Sequence, residues 1–170
     1  TILVLPGTYY DPIDGHGKDI LISSLIITSD DTSYISETII DLSQLSDSDD
    51  PLIYQCNYLN GFTIQNNSSN QNTIQSYDNS VYQNLIVKDN ISRAFGLYNG
   101  NVEIRNTIIA NNHINGTGGG AQIDNADVLF DNVQFISNSC TSDGGAINID
   151  SDSYITIYNS LITGNHSDDK

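Results

Sequence analysis

Two carboxylates, Asp124 and Asp150, have the best claim to chemistry in this sequence. They close two similar segments, Ala121-Gln122-Ile123-Asp124 and Ile147-Asn148-Ile149-Asp150. If these are neighbouring strands, their backbones lie roughly 5 Å apart. The two carboxylates, with the Gln122 and Asn148 amides nearby, would then offer the oxygen-rich surroundings that Ca2+ takes. The plainer reading is a pair of solvated loop carboxylates, and both stay open. Proton abstraction beside such a pair needs a base. The basic residues are Lys18, Lys88, Arg93, Arg105 and Lys170, and none falls at the aligned positions. Arg105 and Asp131 read instead as a surface ion pair between stacked repeats. Lys88 and Arg93 flank a turn and have no acidic partner at matched positions.

Other reactive groups lack a pattern. His16, His113 and His166 show no HxxxH or HxH spacing, so a zinc site is not expected. Gly116-Thr117-Gly118-Gly119-Gly120 has no Lys after it and reads as a turn rather than a phosphate cradle. Cys56 and Cys140 fall about three repeats apart, on the order of 14 Å at strand spacing. That exceeds the ~7 Å a disulfide tolerates, so both are expected to be free thiols. Ten tyrosines could stack against sugar rings, but they do not recur in one column of the repeat.

Composition bounds the partners. The 170 residues carry a formal charge of -16 with only five Lys and Arg, too few to line a phosphate-binding groove. Nucleic acid is therefore not expected as a partner, and an anionic membrane surface is an equally poor one. No run of ~18 apolar residues supports membrane insertion. Met is absent throughout, and the chain is read as a mature or excised piece of something longer.

The elements that must position these groups follow from an internal repeat. Five segments end in Asn67, Asn90, Asn112, Asn138 and Asn165, at steps of 23, 22, 26 and 27 residues. One column holds Leu59, Tyr82, Ile104, Phe130 and Ile157, large and mostly apolar, hence inward. Two residues on come Gly61, Asn84, Asn106, Asn132 and Asn159, types that tolerate left-handed backbone. Three further stand Ile64, Val87, Ile109, Phe135 and Ile162, inward again. The chain therefore turns a corner at Asn84, Asn106, Asn132 and Asn159, where stacked amides can form a ladder. Further apolar pieces, such as Phe95-Gly96-Leu97 and Ile147-Asn148-Ile149, complete three short strands per repeat, with one tight corner and two looser turns. The same order recurring means translation along an axis, not hairpin reversal. The expected fold is all-β: a right-handed parallel β-helix with coils of about 22–27 residues. Residues 1–56 read as irregular opening coils and 57–170 as regular coils, in one continuous domain. Ser29-Asp30-Asp31 and Asp47-Ser48-Asp49-Asp50 read as exposed loops.

Two stretches resemble known families. Leu5-Pro6-Gly7-Thr8-Tyr9-Tyr10 with Gly17-Lys18-Asp19-Ile20 resembles the opening of β-helix domains in the pectin-lyase-like superfamily. Phe135-Ile136-Ser137-Asn138 with Gly144-Gly145-Ala146-Ile147 resembles the paired FxxN and GGAI repeats of polymorphic outer-membrane proteins, and Gly118-Gly119-Gly120-Ala121 is a partial echo. Val87 and Ile109 stand where FxxN would have Phe. The resemblance implies a secreted or cell-surface location. It also brings in polysaccharide lyases, which need acidic metal ligands and an Arg or Lys on the outer face of one sheet. The leading expectation is a non-catalytic adhesin, stalk or filament element. Further β-helix coils or another subunit would meet its open ends. The alternatives are a lyase or hydrolase acting on acidic polysaccharide, or a carbohydrate-binding module.

Overall fold

The computed structural model describes residues 1–45 and 52–168, so the acidic run Asp47 to Asp50 lies outside the described residues. All strand pairs are parallel and connect successive coils. The fold is therefore the all-β parallel β-helix that the repeat predicts. Each regular coil has three limbs. The first limbs include Tyr58–Asn60, Ser80–Gln83 and Tyr154–Tyr158, and the second limbs Thr63–Gln65, Ile86–Lys88 and Leu161–Thr163. In Asn101–Ala110 and Asp127–Ile136 the two limbs are one strand bent in the middle. The third limbs form a six-stranded sheet: Ile13–Asp14, Ile53–Tyr54, Asn72–Ser76, Arg93–Tyr98, Ala121–Asp124 and Ile147–Ile149.

The register matches the sequence columns. Leu59 pairs with Tyr82, Tyr82 with Ile104, and Ile104 with Phe130. These four are fully buried, as are Ile64, Val87, Ile109 and Phe135 in the second column. Between the columns the corner is left-handed as expected, with φ 54, 48, 56 and 49° at Asn84, Asn106, Asn132 and Asn159. The opening coils carry what no periodicity announced: short helices Ile26–Ser29 and Ser33–Glu37, joined through left-handed Asp30 and inserted between the first and second limbs. The exposed loop expected at Ser29 to Asp31 thus contains the end of a helical turn.

One expectation about the turns is refined and one corrected. The other turns differ in length between coils, yet they too pass through left-handed positions. A second left-handed column runs through Asn66, Asp89, Asn111, Ser137 and Gly164, and a third includes Asn99, Asn125 and Asp152. The continuous amide ladder does not sit at the expected corner. There the side chains point outward and make separate bonds: Asn84 to Asn60, Asn132 to Asn106, and Asn159 to Asp131. The unbroken ladder belongs to Asn67, Asn90, Asn112, Asn138 and Asn165. The Asn67 backbone N–H donates to Asn90 Oδ1 at 2.9 Å, and Asn90 Nδ2 to Asn112 Oδ1 at 2.7 Å. Asn112 and Asn138 each donate both backbone N–H and Nδ2 to the next Asn, at 2.9–3.1 Å. The same amides reach back to the carbonyls of Val87, Ile109 and Phe135. A residue that follows a left-handed bend points into the coil, and only an amide can satisfy acceptor and donors there without charge.

Both cysteines are free and buried. Burial pushes the Cys56 thiol up from 9.0 to about 11 and the Tyr82 phenol up from 10.0 to about 12. Raised acid values mean the folded state holds these groups neutral. Their contribution is fully present below about pH 9 and is lost as pH rises through 11 and 12. The urea midpoint should therefore fall steeply above pH 9, and Tyr82→Phe should flatten the upper part of the fall; a level profile in the native chain would contradict this.

Candidate functional site

The third-limb sheet carries most of the polar chemistry on its outer face. Side chains two apart on a strand share a face, and parallel pairing brings that face together across coils. Tyr54 pairs with Gln75, two residues before Tyr77, and Leu97 pairs with Ser76, which places Tyr98 beside Tyr77. The result is an aromatic row. Tyr77 stacks on Tyr98 with centroids 5.3 Å apart and planes 28° apart, and Tyr54 meets Tyr77 edge-to-face at 6.1 Å. Desolvation, reinforced by its two tyrosine neighbours, raises the Tyr77 phenol. The row lines a groove of about 700 Å³, with Asn72, Gln75 and Arg93 in its walls.

The groove walls are tied down. Asn72 is buried and donates to Gln75 Oε1 at 2.5 Å and to Tyr98 Oη at 3.4 Å. It lies across Gly96, where any Cβ would come within 2.4 Å of its amide. Arg93 donates from Nη1 to Asn72 Oδ1 at 2.6 Å and from Nη2 to the Thr117 carbonyl at 2.6 Å, with Nε shared between the Thr117 and Gly118 carbonyls. Desolvation lowers the guanidinium below its ordinary value, though such a group stays cationic. The Gly116–Gly120 stretch, read as a turn, thus supplies the carbonyls that hold Arg93.

The candidate carboxylates lie further along the same sheet. Gln122 pairs with Asn148, which sets Asp124 and Asp150 in adjacent coils. Asp150 is held by amides: Gln122 Nε2 donates to it at 2.5 Å and Asn148 Nδ2 at 3.2 Å. Thr117 Oγ1 donates to Gln122 Oε1 at 2.6 Å, so a chain of polar contacts runs from Tyr98 through Asn72, Arg93, Thr117 and Gln122 to Asp150. Asp124 has no bond in this network. Among the described residues no three His, Cys, Asp or Glu side chains converge as a metal site would need.

Several of the remaining charges pair locally. Arg105 does sit opposite Asp131, but its guanidinium turns to Glu103 at 2.7 Å, the carboxylate two residues back on the same face. Lys88 has no acidic partner at a matched position and meets its chain neighbour Asp89 at 3.1 Å. His16 pairs with Asp14 and His166 with Asp168, while His113 bonds Ser139. The sequence reading missed the aromatic row and the place of Arg93. Tyr54, Tyr77 and Tyr98 recur near the repeat length, which was the available signal, but they belong to the least regular limb.

Fold and face together define a parallel β-helix protein with one decorated sheet. No protein-family model matches the chain, and neither a curated protein nor a solved structure matches it.

Proposed function

We propose that the chain is a non-catalytic β-helix module of a secreted or cell-surface protein, serving as an adhesin, stalk or filament element. The observation that carries this reading is the state of the coil edges. Ile123, Phe130 and Phe135 are fully buried, whereas their column mates in the last coils, Ile149, Ile157 and Ile162, are 55, 42 and 49% exposed. At the other edge Ile2, Leu3 and Leu5 are exposed as well. Strand edges with apolar rows beside them can take further β-helix coils or another subunit. The local pairing of Lys88 with Asp89 and Arg105 with Glu103, and the tethering of Arg93 to Asn72 and backbone carbonyls, support a structural rather than a catalytic role. The sequence resemblance to surface β-helix proteins supports the location.

Two measurements test the reading. In sedimentation velocity, the 170-residue chain should grow heavier with concentration, and Ile157→Lys combined with Ile162→Lys should suppress that growth. Monomers over the whole range would overturn it. Incubation with pectate or alginate plus Ca2+ should release no unsaturated sugar; release that Asp150→Asn abolishes would establish the lyase reading instead.

A further inference from the structure

We propose that Asn115 is a site of spontaneous covalent modification, where the side-chain amide is lost to water through a cyclic imide formed with Gly116. The sequence carries three Asn-Gly pairs, Asn60-Gly61, Asn99-Gly100 and Asn115-Gly116. In such a pair the glycine nitrogen can attack the asparagine Cγ, because no Cβ stands in the way and the glycine backbone turns freely. The attacking N–H must give up its proton, so a nitrogen already donating a hydrogen bond is held back. These requirements separate the three pairs.

Asn60-Gly61 is closed to the reaction. Asn60 is buried, its Nδ2 donates to Ser23 Oγ at 2.9 Å, and its Oδ1 accepts from Asn84 at 2.8 Å. The Gly61 N–H donates to the Gln83 carbonyl at 3.1 Å. Asn99-Gly100 is held by crowding. The Asn99 side chain accepts from Asn125 at 2.8 Å, and a Cβ on Gly100 would lie 2.8 and 2.9 Å from backbone atoms of Asp78 and Asn79. Gly100 has a neighbouring coil pressed against it and little room to swing. Asn115-Gly116 meets neither barrier. Asn115 is exposed, and its Oδ1 accepts from Thr141 Oγ1 at 3.0 Å. Among the described residues neither its Nδ2, the leaving group, nor the Gly116 N–H, the attacking group, has a hydrogen-bond partner. The space around Gly116 is open: a Cβ there would meet nothing closer than Ile114 Cγ1 at 3.8 Å.

Water is the one co-reactant. The Gly116 nitrogen loses its proton and bonds to Asn115 Cγ, the Cγ–Nδ2 bond breaks, and ammonia leaves with that proton. Water then opens the imide at either carbonyl. Opening at Cγ gives aspartate, and opening at the main-chain carbonyl gives isoaspartate, whose backbone runs through the former side chain. Either product adds one negative charge and about 1 Da. Isoaspartate also lengthens the backbone by one carbon just before Thr117 and Gly118, whose carbonyls hold Arg93. The site lies in the turn after His113–Ile114, and its chemistry is independent of what covers the coil ends.

The test is incubation of the intact chain at mildly alkaline pH, followed at intervals by proteolysis in acid and mass spectrometry of the peptides. The Asn115 peptide should gain about 1 Da roughly tenfold faster than the Asn60 peptide, which reacts only from opened states, and ahead of the Asn99 peptide. Electron-transfer fragmentation should identify isoaspartate at position 115. In urea the three pairs should react at similar rates, since the fold is what separates them. Asn115→Gln should remove the mass gain there, because the longer side chain closes a larger and less favourable ring. An Asn115 that stays intact in the folded chain, an Asn60 or Asn99 that reacts first, or rates in urea as far apart as in the folded chain would each overturn the proposal.

Discussion

Asn138→Ala will cost the fold about 2–6 kcal/mol, from two orphaned buried groups at about 1–3 kcal/mol each. The Asn138 side chain accepts from the Asn112 backbone N–H and Nδ2, and donates to Asn165 Oδ1 and the Ile109 carbonyl. It is fully buried, so water cannot replace these partners without entering the coil. Asn138→Asp keeps the acceptor but loses the donor and buries a charge, and should be no better tolerated. Asn132→Ala is the comparison. That corner is exposed and its amide makes one bond, to Asn106. Its loss, together with the left-handed φ of 56°, should cost roughly 1–2 kcal/mol. Urea denaturation of the three variants decides the matter: similar midpoints for Asn138→Ala and Asn132→Ala would deny the ladder its role.

Gly119→Ala should be a severely damaging single methyl addition, at about 3 kcal/mol or more, the upper range for overpacking. Gly119 is not strained in φ; the constraint is space. A Cβ would lie 2.4 Å from the Ser139 carbonyl and 2.6 Å from that of Gly145. Both are backbone atoms of the coil above, and Gly119 N–H donates to Gly144 in the same stack. The coil cannot move without breaking that ladder, since Gly118, Gly120 and Ala121 also donate to Asp143, Gly145 and Ala146. Thermal unfolding of the variant measures it; a melting point within a few degrees of the native chain would show that the coils separate freely here.

The repeat was legible because its columns face one environment. An inward position surrounded by other inward positions accepts few residue types, so Tyr82, Ile104 and Phe130 announce themselves. Asn at a left-handed bend is equally selective, and the corners at Asn84, Asn106, Asn132 and Asn159 were read directly. Which Asn column forms the ladder was not legible. Both columns are asparagine, and only the direction of the side chain after the bend separates the outward corner from the buried one. The groove was harder still. Its outer face tolerates almost any residue, so Tyr54 falls two register positions from Tyr77 and Tyr98 and the row appears only when the strands are paired. Arg93 joins the face through Thr117 and Gly118, in a turn whose length differs between coils.

The ladder also has a direction. Asn112 and Asn138 each donate upward to the oxygen of the next amide, so their dipoles add rather than cancel. Joining two molecules through the same end would reverse that polarity and set the joined strands antiparallel. Only a heterologous joint, one end on the other, preserves it, and such joints need not close into a ring. In the assembly proposed above, a heterologous joint would carry the ladder's polarity unbroken from one molecule into the next.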